Sequence, residues 1–202
     1  MRHKNKTFDS LARDVSAEGR GRLLVDLTEL VLTDPPATDG ERAIFFDIVR
    51  VILPAAADKY RRLFSETAAD RDGVPRDLLM TLGSDVIEIA APVLTRSRGL
   101  ADPDLVLLAT DQTDGHRLAI AARTIVAGCV TEVLVRNGSR DVLRRLGSNS
   151  GAVFTATAVA DVRRRAEGDD DLFAVLADRA DLADLLAGSM RETLSQIGRA
   201  HV

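Results

Sequence analysis

The sequence predicts an all-α fold of short helices stacked as degenerate hairpin repeats, and three observations carry that expectation. Helix start and stop signals recur along the chain while strand signals are scarce. Apolar residues make up 46% of the 202 residues, yet there are only six Phe, one Tyr and no Trp. The core must therefore be packed with Leu, Val, Ile and Ala, a palette suited to tightly spaced helices. Third, an Asp followed by Leu or Val recurs at Asp77, Asp104, Asp141 and Asp171, at intervals of 27, 37 and 30 residues, which reads as an internal repeat. The length suits one continuous domain, with residues 1–70 as an N-terminal helical segment and 71–197 as the repeat region.

Each element follows from local chemistry. Ser16 can cap a helix through about Leu32, in which Leu23, Leu27, Leu30 and Val31 share one face, and Asp34-Pro35-Pro36 ends it. Thr38 followed by Glu41 is a capping box, so a helix begins there and runs from Asp39 to Leu53. On a wheel of 100° per residue, Arg42, Asp47 and Arg50 fall within an arc of about 140° and leave a wide apolar face. That face suits either a central core helix or a self-association surface, with Ile44, Phe45, Ile48, Val49 and Ile52 as the candidate dimer residues. Pro54 kinks the chain or opens the next helix, which continues to about Ala69 with Tyr60, Leu63 and Phe64 toward the core.

After the Asp70-Arg71-Asp72-Gly73 turn, helices are expected near residues 75–83, 85–97, 103–111, 114–126, 128–137, 139–147, 151–167, 170–179 and 181–197. Asp102-Pro103 supplies a cap followed by Pro in the first turn, Ser84 and Ser139 stand at cap positions, and Gly83, Gly99, Gly138 and Gly147 stand where helices should stop. Aligning the last repeats pairs Leu146 with Leu176 and Asn149 with Arg179, which places both polar residues in inter-helix turns. No such hairpin buries its apolar face alone, so each depends on its neighbours.

Net charge is −4, which argues against sequence-independent binding to nucleic acid, because displacing counterions from phosphates needs a cationic field. The longest apolar stretch, around Ala43 to Leu53, is far short of a membrane span and is interrupted by Asp47 and Arg50. The start, MRHKNKTFDSL, has no apolar run behind its basic residues, so it does not read as a secretory signal. The lone Cys129 fits a reducing compartment, and the cytoplasm is the expected location.

Residues 91–152 carry a family resemblance. The entry from Pro92 to Leu105, the "H..AIA.R" segment at His116 to Arg123, the "VT..LV..G" segment at Val130 to Gly138 and the "N.GA" turn at Asn149 to Ala152 resemble the bacterial DUF2336 family. Asp178-Arg179-Ala180-Asp181-Leu182 is similar to the family's "R.DLP" turn, with Ala183 in place of Pro. The resemblance covers roughly residues 75–195 and implies a HEAT-like helical-repeat fold with no assigned chemistry. Members that join this region to signalling domains tilt the expectation toward protein interaction.

The residues themselves offer little chemistry. Three histidines, His3, His116 and His201, and one cysteine supply no zinc-ligand pattern. Asp169-Asp170-Asp171 lacks the alternating acids and distal Glu of a calcium loop and reads as a helix cap. Cys129 and His116 lie in neighbouring predicted helices, but Ala127-Gly128-Cys129-Val130 reads as a small buried thiol rather than a nucleophile. Gly19-Arg20-Gly21 has neither the preceding strand nor the Lys-Ser/Thr ending of a phosphate loop.

Basic residues remain. His116, Arg117, Arg123, Arg144 and Arg179 are candidates for a binding surface, although intra-repeat ion pairs or solvation account for such residues more simply. The Arg163-Arg164-Arg165 run ends a predicted helix, where cations meet the negative end of the macrodipole. The expected function is a non-enzymatic protein-interaction or scaffold module in bacterial signalling or regulation, with no cofactor, an unidentified protein partner and the option of a homodimer. The alternative is a helical-repeat nucleic-acid binder.

Overall fold

In the computed structural model, which describes residues 16–32, 38–166, 169–179 and 182, the chain is all-α. Eleven α-helices and one 3-10 turn are formed among the described residues, and their only extended pairing is an isolated parallel bridge between Val126 and Ala152. Contacts divide the chain at Leu100–Ala101 into two compact units.

The first unit contains α1 (Ala17–Leu32), α2 (Asp39–Ile52), the 3-10 turn Leu53–Ala55, α3 (Asp58–Ala69), α4 (Arg76–Gly83) and α5 (Ile87–Arg96). Helices α1, α3 and α5 pack in succession, α2 lies on α1, and α4 lies on α5. Thr38 and Glu41 form the expected capping box, the Glu41 amide donating to the Thr38 hydroxyl at 3.3 Å and the Thr38 amide donating to the Glu41 carboxylate at 2.8 Å. Pro54 falls within the 3-10 turn that separates α2 from α3. Phe45, Phe46 and Phe64 are buried together, with ring centroids 5.1 Å apart for the first pair and 6.5 Å for Phe45 and Phe64. The Ser65 hydroxyl, also buried, donates to the Ile89 carbonyl at 2.6 Å and ties α3 to α5.

The buried side of α1 differs from the expected stripe. Gly21, Leu24, Thr28 and Leu32 are buried, whereas Leu30 is exposed and Leu23, Leu27 and Val31 are half-buried. The reason lies in α3. The Tyr60 ring packs against Gly21 so closely that a Cβ there would stand 1.9 Å from Tyr60 Cδ2. The Tyr60 hydroxyl then donates to Glu18 at 3.0 Å, and Lys59 pairs with the same carboxylate at 2.9 Å. This seam fixes the rotation of α1.

Among the described residues the second unit forms three hairpins: α6 (Asp102–Asp111) with α7 (Asp114–Ala121), α8 (Gly128–Asn137) with α9 (Arg140–Gly147), and α10 (Ala156–Ala166) with α11 (Asp170–Ala177). Helices α6, α8 and α10 pack in succession as one layer, and α7, α9 and α11 as the other. Side chains at matching positions, Ile120, Leu146 and Leu176, are fully buried, as are Val126, Ala152 and Leu182.

Three expectations are corrected here. Asp77, Asp141 and Asp171 each stand second in α4, α9 and α11, but Asp104 stands third in α6, in the layer opposite α9 and α11, so it breaks the proposed register. It is buried instead, and accepts from the Ala101 amide at 3.1 Å. The expected helices 114–126 and 151–167 are shorter, because Val126 and residues 151–153 are drawn into the bridge. The second of these helices is capped by Thr155, whose hydroxyl accepts from the Ala158 amide at 3.1 Å. Finally, Cys129 is exposed rather than buried. The expected helix 181–197 lies outside the described residues apart from Leu182.

Candidate interaction surface

The candidate basic residues are tied into the repeat stack. His116 is buried, with Nδ1 2.8 Å from the Thr113 hydroxyl. Arg117 donates from Nε to the Ala109 carbonyl at 2.8 Å and pairs with Asp114 at 2.9 Å, which ties α7 to the end of α6. Arg123 is largely withdrawn from water, and that desolvation pushes its guanidinium pKa down against the opposing pull of Asp102. Arg144 reaches Asp171 at 3.4 Å across to α11. Arg179 donates to the carbonyls of Asn149 at 2.6 Å and Ala152 at 2.9 Å, with its guanidinium 5.1 Å from the Phe154 ring centroid.

The aligned residues Asn149 and Arg179 share one role. Asn149 Nδ2 donates to the carbonyls of Ala121 at 2.9 Å and Arg123 at 2.7 Å, closing the end of α7 as Arg179 closes the end of α9. Helix C-termini leave carbonyls without intrahelical donors, and here the next repeat supplies them. Arg165 works in the other layer, donating to the carbonyls of Val135 and, at 2.7 Å, Gly138 beyond α8. Arg164 of that run is turned outward to Asp161 at 2.7 Å.

Ion pairs between helices follow the same pattern. Arg50 on α2 holds Asp77 on α4 at 2.6 Å, Arg96 on α5 holds Asp70 at 2.9 Å, and Arg140 on α9 holds Asp169. Arg50 keeps the Asp77 carboxyl below its ordinary value. Asp169 is lowered first by the Leu172 amide, for which it is the α11 cap, and then by Arg140. The Asp169-Asp170-Asp171 run thus caps a helix and anchors two arginines.

The five candidate dimer residues separate into two groups. Phe45, Val49 and Ile52 are buried in the first unit's own core, so they are corrected from interface to core. Ile44 is 64% exposed and Ile48 36%, and they are joined by Val51 at 73%, which sequence reasoning missed. The helical spacing of Val51 from Ile44 and Ile48 was the signal that could have found it. Other apolar side chains stand in solvent at Leu63 and Val86 in the first unit and at Ile125 and Val153 in the second. Leu63 lies between a groove of about 380 Å³ toward α1 and one of about 700 Å³ toward α5. Among the described residues no group of three or more His, Cys, Asp or Glu could hold a metal ion, and no helix is long and apolar enough to cross a membrane.

Hairpins joined through side chains that close the previous repeat's helix ends define a helical-hairpin repeat protein. Its particular family is DUF2336, described as an uncharacterised protein conserved in bacteria: the family model matches residues 89–202, more than half of the chain, and the chain belongs to it. No curated protein and no solved structure matches the chain. The motifs that carried the resemblance are packing and capping residues. Val130, Thr131, Leu134 and Val135 of the "VT..LV..G" segment are fully buried. In the "N.GA" turn, Asn149 closes α7, Gly151 lies where a Cβ would be 1.8 Å from the Thr124 carbonyl oxygen, and Ala152 forms the bridge.

Proposed function

We propose that this chain is a non-enzymatic protein-interaction or scaffold module of bacterial signalling or regulation. The observation that carries this reading is the division of labour on its surface. The basic candidates are bonded within the repeats, whereas large apolar side chains such as Ile44, Val51 and Ile125 are left in water. Scattered single apolar residues are ordinary on a protein surface, but clusters on helix faces mark association. Membership of a bacterial family agrees with this setting without assigning the role.

The test is affinity capture from the native cell with the full chain, in parallel with two surface variants, Ile44→Glu with Val51→Glu and Ile125→Glu with Val153→Glu. The expected result is one protein recovered by the wild type and lost with one variant pair. Recovery of no specific protein across growth conditions, or recovery unchanged by both pairs, overturns the reading.

A further inference from the structure

We draw no further inference here: the strongest candidate, the open groove of about 700 Å³ between α3 and α5 lined by Leu63, Val86 and Ile89 with Arg62 and Glu88 beside them, is an apolar face for which nothing in the structure shows what covers it.

Discussion

Asn149 shows how one side chain couples two repeats. Its amide closes two carbonyls at the end of α7, and Asn149→Ala leaves both without that donor. The expected cost is about 1–3 kcal/mol, read as a lowered urea midpoint at unchanged slope. Carboxylates act at the same scale. Asp77, held down by Arg50, and Asp169, held down by the Leu172 amide and Arg140, have folded pKa values below their ordinary ones. Their contribution to stability is present above the unfolded value of about 4 and is lost as pH falls through the folded values. The urea midpoint should therefore change little from about pH 7 to 5 through these groups and fall below about pH 4, with a shallower acid limb in Asp77→Asn. The pairing of Asn149 with Arg179 was legible in the sequence because both follow a buried Leu by three residues. Their acceptors were not, since they lie 26 to 33 residues away and only stacking brings them close. Cys129 was misread for a related reason: small neighbours suggested close packing, but its place in the first turn of α8 turns it outward.

At the scale of elements, local signals were the reliable ones. The Thr38–Glu41 box operates over three residues and needs no tertiary information, and the start of α2 follows from it. Thr38→Ala should cost about 1 kcal/mol, measured as a lower thermal midpoint with the end of α2 fraying in amide exchange. Which face of a helix is buried proved harder to read. Helix α1 carries two apolar arcs, and Tyr60 on α3 selects the one with Gly21. Helix α2 likewise has a core face at Phe45, Val49 and Ile52 and a second face at Ile44, Ile48 and Val51. A hydrophobic pattern reports how wide the apolar surface is, not which part a neighbour covers.

At the scale of the whole molecule, nearest-neighbour contacts make the stability of each unit a property of its own packed helices. In the second unit Gly151 is where the α9–α10 turn meets the α7–α8 turn, and a Cβ there would collide with the Thr124 carbonyl. Backbone cannot yield as a side-chain tip can. Gly151→Ala should cost about 3 kcal/mol or more. It should also separate unfolding of the hairpins, seen as earlier loss of amide protection in α9 to α11 than in α6 and α7. Unchanged, coincident exchange across α6 to α11 would count against this coupling.

The sequence by itself determined the class of this protein: helices in order, most of their starts, an aliphatic core and a resemblance to DUF2336 that the family match confirms. These follow from capping, proline and glycine, and 3.6-residue periodicity, which act within one or two turns. Tertiary structure alone decided that the arginines are inter-repeat bonds, that Asp104 belongs to the other layer, and that half of the apolar face on α2 remains in water. Each depends on which segment lies opposite, and that is fixed by packing between residues some thirty positions apart.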